Sequence, residues 1–466
     1  MGIATSREMF AAYDPAYDPL VSSGPGRNRD YAPTYWAATA GPAPDDDGPI
    51  TSDVDADVVI IGSGFTGLAT ALFLAQEHGI RATVLEANRV AWGCTSRNGG
   101  QGQNASGRLY RSQWIELWGL ETARRLDAEI RYGFDTFREL VSQIDCDPQP
   151  GGHLYIAHRE KKMAFLENET RVMRDKFGYD ARMLSAAEVR SNYCDDQEAV
   201  GAMHESEGIC VHPLKLAHGY LAKARALGAR VHPASPVIGW ETRNGVHHLS
   251  TPGGTVRARA VGIATGAYTA PGLHPSLANR YFPVLSNSIV TRPLTEAELK
   301  ATNFLTREAI TDTRTLRFYY RLLPDNRVQI GSRSSITGAD AHRDAHYRLL
   351  VEGLARKFPA LKGIRIDYSW WGWVDVSHDM MPRIAQPDAK QQVFYALGYG
   401  GNGVSFSAHA GRRMAQRIAG QSDPVLDLPI YRDALPFPAQ GEWAAPFRRV
   451  GQSLLYKWYW LRDEVL

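Results

Sequence analysis

One stretch, residues 57–86, constrains what this chain can fold into more than any other part of the sequence. It opens with a β-branched apolar run over 58–61, which is too short for a helix and is typical of a buried parallel strand. The run leads into a Gly-x-Gly-x-x-Gly motif, and the residues over 68–78 then have helical spacing. A second short strand is predicted over 82–85, and it ends at Glu86.

Each glycine of the motif has its own physical role. Gly62 permits the tight turn out of the strand, Gly64 lets a pyrophosphate approach the backbone, and Gly67 lets the helix lie close to the strand. The first turn of that helix favours an anion, and Glu86 lies where a ribose hydroxyl needs an acceptor. Because all these parts are in register, the stretch predicts dinucleotide binding, with an unphosphorylated ribose as in FAD or NAD rather than NADP.

The composition excludes several other classes of function. A length of 466 residues allows two or three domains of about 150 residues each. The formal net charge of +2 gives no basis for nucleic-acid binding. The four cysteines form no C-x-x-C pair, so we expect neither a disulfide framework nor a metal site, and a reducing cytoplasm is the expected location. No apolar run of about 18 residues and no signal-peptide pattern occur, so no membrane-spanning helix is expected.

Three further segments have the composition of a cofactor site. A loop rich in glycine, serine and asparagine over 92–104 can lie along phosphates and a ring with its flexible backbone N–H groups. Thr265 and Gly266 follow a short buried strand over 260–264, at a point where backbone can pass a pyrophosphate. Residues 400–404 open a later helix and form a second glycine-rich helix N-terminus, which is a second anion site.

The two ends of the chain are predicted as appendages. The N-terminal arm over 1–53 is expected to pack on the domain surface, with Tyr35 or Trp36 at the mouth of an active site as the alternative. The C-terminal extension over 426–466 contains an amphipathic helix. We expect this helix to dock on the protein, and its Trp and Tyr content keeps a membrane surface as the alternative. Its apolar face consists of Phe447, Val450, Leu454, Trp458, Leu461 and Val465.

Together, the motifs DVVIIGxGFTG, LEA, WGxxxRNGG, VHP, ATGAY, DxxP and GYGGNGV resemble those of the D-amino-acid oxidase superfamily of FAD enzymes, which includes glycine and sarcosine oxidases. The similarity runs from about residue 31 to 425 and is greatest to the γ-glutamylputrescine oxidoreductase-like group. It implies an α/β fold (α+β overall) with a Rossmann-like FAD-binding domain built from discontinuous segments and a substrate-binding domain with an antiparallel sheet. The FAD-binding domain is expected over 54–108, 205–275 and 372–425, and the substrate-binding domain over 109–204 and 276–371.

The resemblance implies a set of cofactor-binding residues for FAD. The pyrophosphate and ribose would be held by Gly62, Ser63, Gly64, Phe65, Thr66, Gly67, Glu86 and Ala87. The ribityl chain and isoalloxazine would be wrapped by Ser96, Arg97, Asn98, Gly99, Gly100 and Gln101. The adenine would pair with Val237, the backbone would pass the pyrophosphate at Thr265 and Gly266, and the flavin N1/C2 edge would meet Gly400, Gly401, Asn402, Gly403 and Val404. The flavin is expected to be non-covalent, since the cysteines all precede residue 211 and the first loop has no histidine.

Family chemistry is oxidation of a C–N bond by hydride transfer to flavin N5, giving an imine that hydrolyses to an aldehyde or keto acid. A polyamine derivative such as γ-glutamylputrescine is the expected substrate, and O2 or another acceptor takes the electrons. An aromatic cage with a carboxylate can hold such an amine. The substrate-pocket candidates are Tyr319, Tyr320, Arg321, Trp371 and Asp375.

Two alternatives stay open at the level of sequence. One is an amino-acid oxidase or dehydrogenase, pipecolate-, proline- or sarcosine-like, in which Arg321, Arg333 or Arg108 binds a carboxylate. The other is a membrane-surface dehydrogenase that passes electrons to quinone. Three positions depart from the sarcosine-oxidase pattern. These departures weaken the case for an α-amino-acid substrate, and the one at position 329 also weakens the case for fast reaction with O2. They are Asn104 in place of arginine, and Ser405 and Gln329 in place of lysines.

Overall fold

The computed structural model describes residues 16–437 and 442–466. Its helices are α1 Tyr35–Thr39, α2 Phe65–His78, α3 Arg111–Ser142, α4 Met163–Phe177, α5 Ala186–Asn192, α6 Pro213–Ala226, α7 Glu296–Thr302, α8 Asp344–Lys357, α9 Phe406–Ile418 and α10 Ala445–Trp460. Its strands are β1 Val54–Ile61, β2 Thr83–Leu85, β3 Gln101–Gln103, β4 Gln149–Ala157, β5 Ala181–Ser185, β6 Gly201–Cys210, β7 Arg230–His232, β8 Gly239–Arg243, β9 Val246–Thr251, β10 Gly254–Ile263, β11 Tyr281–Thr291, β12 Ala309–Asp312, β13 Tyr319–Leu322, β14 Val328–Ser332, β15 Ile366–Ser377, β16 Arg383–Ala385 and β17 Val393–Leu397.

The first sheet is the parallel sheet that the opening stretch predicts. Its strand order is β16-β17-β10-β1-β2-β7, and the β8–β9 hairpin extends from β10. Strand β1 pairs in parallel with both β2 and β10. The second half of β1 and the whole of β17 are buried, because a parallel sheet is covered on both faces. Helices α2, α6 and α9 contribute to the apolar core on one side.

Helices α2 and α9 cross at a glycine. A Cβ atom built at Gly411 of α9 would lie 2.7 Å from the carbonyl oxygen of Thr66 and 2.8 Å from the backbone nitrogen of Thr70, both on α2. Only a residue without a side chain lets the two backbones approach this closely. The glycine-rich N-termini of these two helices are therefore held at a fixed separation.

The second sheet has the order β15-β11-β14-β13-β12-β4-β6-β3, with β5 paired to β6. Its pairs are antiparallel, as predicted, except that β4 and β12 run parallel. Two of the expected domain boundaries, 204/205 and 371/372, fall inside β6 and β15. Strand β3 of the glycine-rich loop also belongs to this sheet. Strands β6 and β15 therefore continue across the expected domain boundaries, and the division into two domains stays a proposal.

Part of the N-terminal arm is buried: Tyr35 and Trp36 belong to the core, whereas most of residues 37–53 are exposed on the surface. Tyr35 is 6% exposed and Trp36 is 1% exposed. The Trp36 indole N–H donates a hydrogen bond to the Asn98 carbonyl oxygen at 2.7 Å, and its ring faces the Arg321 guanidinium. This part of the arm thus supports the glycine-rich loop from behind, and neither Tyr35 nor Trp36 lines the cavity between the two sheets.

The C-terminal helix forms and docks on the protein, as expected, but it docks through its polar side and leaves its apolar face exposed. Phe447, Leu454 and Trp458 are 67%, 62% and 51% exposed. The side that meets the protein is polar, because the surface beneath it offers carboxylate, carbonyl and N–H groups. The inward side chains are Arg449, Gln452 and Asp463.

Within the described residues, none of the helices combines the length and the hydropathy needed to span a bilayer. The same residues bring together no group of three His, Cys, Asp or Glu side chains that could hold a metal ion.

Candidate active site

A long cavity lies between the two sheets, at the carboxyl ends of β1, β2, β10 and β17. Its lining combines loops of the parallel sheet with residues of the second sheet.

The first glycine motif forms one end of the cavity. Gly62 has φ +98°, and a Cβ atom there would lie 2.7 Å from the Ala264 carbonyl oxygen. A Cβ atom at Gly67 would lie 1.8 Å from the Gly62 carbonyl oxygen, so this glycine lets the helix pack on its own strand. Gly62, Gly64, Phe65 and Thr66 line the cavity, whereas Ser63 and Gly67 lie behind the wall. Helix α2 begins at Phe65 after an N-cap glycine. The Phe65 N–H donates to the Thr95 hydroxyl at 3.1 Å, and the next N–H groups of the first turn remain for an anion.

Glu86 lies at the end of β2 and lines the cavity next to Ala87. Its carboxylate accepts hydrogen bonds from the backbone N–H and the hydroxyl of Ser63, at 3.0 and 2.8 Å, and from the Asn88 N–H at 3.0 Å. Burial raises the pKa of Glu86, and the hydrogen bonds partly oppose that shift. The carboxylate is thus oriented by fixed donors at the position where a ribose hydroxyl is expected.

The second glycine-rich loop forms another part of the cavity wall, and it lies next to the first motif because the Tyr399 hydroxyl is 2.8 Å from that of Thr66. All five of its predicted residues line the cavity: Gly400, Gly401, Asn402, Gly403 and Val404. The Asn402 amide donates to the Gly107 carbonyl oxygen at 2.6 Å, which ties this loop to the segment that follows β3. The Ser407 hydroxyl on α9 also lines the cavity, and it is a buried oxygen without a hydrogen-bond partner in the described structure. A flavin edge fits this part of the wall, since it would satisfy that hydroxyl.

The middle of the cavity is built from the remaining predicted cofactor residues. Those that line it are Arg97, Asn98, Gly99, Gln101, Val237, Thr265 and Gly266. Ser96 and Gly100 do not line it. The Ser96 hydroxyl donates to the Trp92 carbonyl oxygen at 2.9 Å, and the Gly100 N–H donates to the Asn98 amide oxygen at 2.8 Å. These two residues shape the loop that lines the cavity.

Of the five substrate-pocket candidates, Tyr319 and Asp375 line the cavity and the other three do not. Tyr320 follows Tyr319 on β13, and successive strand residues point to opposite faces, so its hydroxyl donates to Asp196 in the core. Arg321 donates to the Val211 carbonyl oxygen at 2.8 Å beneath the glycine-rich loop. Trp371 points to the face of β15 opposite Gly372, which does line the cavity.

Three arginines line the substrate end of the cavity together, and the sequence did not predict this group. We call the group the arginine wall. Arg108, Arg317 and Arg333 all line the cavity, and only two of them were named as alternatives. Burial and the nearby charges of Arg317 and Arg333 lower the pKa of Arg108. Arg317 lies two residues before Tyr319, so continuing the alternation of that strand backwards would have found it. Ser286 and Thr311 from the second sheet complete this end.

The three departures from the family pattern have structural counterparts. Asn104 donates to the Glu207 carboxylate at 2.7 Å, and the Ser405 hydroxyl donates to the Gln103 carbonyl oxygen at 2.5 Å. Gln329 is buried and donates to the Ser288 hydroxyl at 3.3 Å. None of the three lines the cavity. Arg108 provides a positive charge near the second loop instead, since a Cβ atom at Gly400 would lie 2.7 Å from its Cγ.

Comparisons with known proteins agree with this site. The family described as "DAO: FAD dependent oxidoreductase" matches residues 57–417. The γ-glutamylputrescine oxidoreductase of Escherichia coli (strain K12) is 34% identical over 444 residues, which cover 94% of this chain and 99% of that protein. The glycine oxidase of Bacillus licheniformis is 23% identical over 377 residues, covering 78% and 93%.

Solved structures support the same fold. The glycine oxidase from Geobacillus kaustophilus superimposes with a TM-score of 0.67 at 22% identity, covering 83% of this chain and 100% of that one. The L-proline dehydrogenase from P. horikoshii gives 0.65 at 18% identity, covering 81% and 98%. The cofactor is FAD, and the residues of the cavity fit it. The chain belongs to the DAO family of FAD-dependent oxidoreductases.

Proposed function

We propose that this enzyme oxidises the C–N bond of an amine that also carries a carboxylate, with γ-glutamylputrescine as the first candidate. The relative from Escherichia coli is named for that compound, which supports the candidate. Bound FAD supplies the hydride acceptor, and the imine product hydrolyses to an aldehyde. The observation that carries the proposal is the arginine wall at the substrate end of the cavity.

The three guanidiniums of the arginine wall give the surface of the cavity a positive charge that an anionic group of the substrate would balance. Among the described residues, no carboxylate lies within ion-pair distance of Arg108, Arg317 or Arg333, and the acidic residues lining the cavity are Glu86 and Asp375. Glu86 lies at the ribose end. Burial raises the pKa of Asp375, and its carboxyl is held by the Gly398 N–H at 2.5 Å. A substrate carboxylate is therefore the matching partner, because a guanidinium binds one with two parallel hydrogen bonds.

Oxidation also requires a neutral amine. A hydride can leave the carbon only when the neighbouring nitrogen is neutral and its lone pair is free. A guanidinium of the wall that does not bind the substrate carboxylate would disfavour an ammonium beside it and lower the pKa of the bound amine. The backbone N–H groups of Gly400 and Asn402 donate to the carbonyl oxygens of Asp375 and Tyr399, so the N–H groups of Gly401, Gly403 and Val404 would face negative charge on a flavin edge. Tyr319 packs on Gly99, and its hydroxyl lies 3.0 Å from that of Ser286, which orients the ring over the cavity.

The test is anaerobic bleaching of the yellow protein by γ-glutamylputrescine, putrescine and a panel of α-amino acids. We expect γ-glutamylputrescine to bleach the flavin at the lowest concentration. Bleaching by proline or an N-methyl amino acid alone would contradict the proposal and favour the amino-acid oxidase alternative. Re-admitting air then measures how fast O2 accepts the electrons.

Arg317→Gln tests the role of the arginine wall. The change should raise KM for γ-glutamylputrescine about 10- to 100-fold, because a hydrogen bond to a charged group is lost, and leave KM for putrescine roughly unchanged. Arg348→Gln is the matched control, since that side chain is 66% exposed and pairs with Asp344 on the surface. Equal losses for both substrates would show that Arg317 supports the fold rather than the carboxylate.

We also propose that FAD is held without a covalent bond and that the enzyme works in a reducing compartment such as the cytoplasm. Cys94 lines the cavity, but burial raises the pKa of its thiol to about 12, so it is not a nucleophile at neutral pH. All four cysteines are free, which is typical of proteins from reducing compartments. Acid precipitation should therefore release all of the flavin into the supernatant.

A further inference from the structure

The outer surface of the C-terminal helix concentrates exposed apolar side chains. Ten of the nineteen exposed large apolar residues of the described chain lie within its last 24 residues, each between 37% and 69% exposed. Soluble proteins rarely leave a contiguous apolar patch of this kind without a partner. We call this set the outer face: Trp443, Phe447, Val450, Leu454, Leu455, Trp458, Trp460, Leu461, Val465 and Leu466.

The helix is fixed in this orientation by its polar side. The Arg449 guanidinium donates to the Asp18 carboxylate at 2.7 Å and to the Pro283 carbonyl oxygen at 3.0 Å. The Asp463 carboxylate accepts from the Thr315 N–H at 2.5 Å. These buried charged contacts hold the apolar side outward, because rotating the helix would break them and bury unpaired charges.

The fully exposed charged side chains over 446–466 are cations. Lys457 and Arg462 are exposed on the outer face, and Lys161 is exposed beside its end, where it donates to the Arg462 carbonyl oxygen at 3.0 Å. The acids near this end turn inward: Asp463 is buried and Glu464 pairs with Arg314 at 2.5 Å. Arg462 lies 3.6 Å from the buried Asp463 carboxylate, whereas Lys457 has no acidic side chain within ion-pair distance among the described residues. The surface therefore combines aromatic and aliphatic side chains with exposed cations.

We propose that the outer face seats the enzyme on an anionic lipid surface, with the helix lying in the plane of the head groups. Trp side chains favour the boundary between head groups and acyl chains, and a helix with one apolar face and flanking Lys or Arg binds there. A second copy of the chain is the poorer occupant, since its identical face would bring more cations and no carboxylate. This inference goes beyond the oxidation that we propose for the cavity. Tyr456 and Tyr459 of the same helix lie near Arg333, so docking would bring the arginine wall close to the lipid.

The experiment is co-sedimentation of the FAD-loaded enzyme with two kinds of vesicles, one of phosphatidylcholine and one enriched in phosphatidylglycerol. The native chain should sediment with the anionic vesicles. The triple variant Phe447→Ser, Leu454→Ser, Trp458→Ser should bind at least tenfold more weakly, and Lys457→Gln about fivefold more weakly to the anionic vesicles alone. The matched control changes three exposed apolar residues elsewhere, Leu117→Ser, Ile238→Ser and Leu305→Ser, and should bind like the native chain.

Two outcomes would overturn the inference. One is a native chain that stays in the supernatant with both vesicles. The other is a concentration-dependent dimer in sedimentation velocity that the triple variant abolishes, which would assign the outer face to a second copy. Flavin content and amine bleaching are measured without vesicles for every variant, so a wrong substrate and a wrong docking surface give separate results.

Discussion

At the scale of single residues, His212 links protonation to folding. It is the N-cap of α6: its Nδ1 accepts from the Lys215 N–H at 3.2 Å, and its Nε2 lies 3.0 Å from the Thr39 hydroxyl. Its ring packs edge-on against Trp36. Burial lowers the pKa of His212 from 6.5 to about 3. The neutral imidazole is therefore the form that the fold requires.

The lowered pKa of His212 predicts acid sensitivity with a definite sign. The stability it contributes is complete above about pH 6.5, the value in the unfolded chain, and is lost as pH falls towards about 3. Between pH 7 and pH 5 the free energy of unfolding should fall by about 2 kcal/mol through this residue. His212→Asn keeps an N-cap but does not titrate, so urea unfolding at the two pH values should differ less.

The control for His212 is His342→Asn, at an exposed position, which should keep the pH dependence of the native chain. Identical losses of stability for the native chain and His212→Asn between pH 7 and pH 5 would contradict the role of this histidine.

At the scale of elements, Glu129 joins helices α3 and α9. Its carboxylate accepts from His409 Nε2 at 2.6 Å, from Arg413 Nε and Nη2 at 2.7 and 2.9 Å, and from the Tyr431 hydroxyl. Burial alone would raise the pKa of Glu129, but the hydrogen bonds from His409 and Arg413 hold it well below its ordinary value. The carboxylate stays charged, and it neutralises a guanidinium that is only 11% exposed.

Glu129→Ala should lower the free energy of unfolding by about 3 kcal/mol, since the largely buried Arg413 would then keep only one of its salt bridges, that to Asp423. Denaturation in urea measures the loss. Because α9 carries the second glycine-rich loop at its N-terminus, flavin affinity should fall as well. Glu121→Ala, at an exposed position on the same helix α3, should change stability by less than about 0.5 kcal/mol. If Glu129→Ala and Glu121→Ala lowered the free energy of unfolding by similar amounts, the role of Glu129 in joining α3 and α9 would be contradicted.

The sequence could predict the elements and the nucleotide end of the site because those signals are local. The glycine motif, its strands and Glu86 are consecutive, so their mutual geometry follows from one βαβ unit. The orientation of β13 could not be predicted in the same way. Tyr319 and Tyr320 are both aromatic, so the alternation does not say which faces the cavity.

The C-terminal helix illustrates a second limit of sequence reasoning. Its period predicts an amphipathic helix, which the structure contains. Which side meets the protein depends on Asp18, Pro283 and Thr315, which lie far away in sequence. The general rule that apolar faces turn inward gave the wrong orientation because these partners are polar.

At the scale of the whole molecule, the cavity connects the two sheets. Loops of the parallel sheet line the nucleotide end, and strands β13 and β15 contribute Tyr319 and Asp375 to the other. A ligand that touches both binds only the folded chain, and such a ligand stabilises it by mass action. FAD added at a hundredfold excess over its Kd should therefore stabilise the apoenzyme by about 2.7 kcal/mol, seen as a higher Tm.

The variant Gly64→Asp tests the cofactor site by the same measurement of Tm with and without added FAD. It places a negative charge against the pyrophosphate, so we expect no FAD retention and no shift in Tm when FAD is added. Gly64→Ala separates the effect of charge from that of size. Its Cβ would meet only the Thr95 hydroxyl, at 3.0 Å, so the Tm of this variant should still rise when FAD is added. A Gly64→Asp protein purified yellow at full stoichiometry would refute the site.

The crossing of α2 and α9 at Gly411 has a consequence for the shape of the cavity. Both glycine-rich loops line the cavity, and the distance between the helices that follow them is set where the two helix backbones touch. Gly411 itself does not line the cavity, so the spacing of the loops depends on a residue that a ligand in the cavity does not contact. Changes of sequence within the loops can alter affinity, whereas a larger residue at 411 would alter the spacing of the loops.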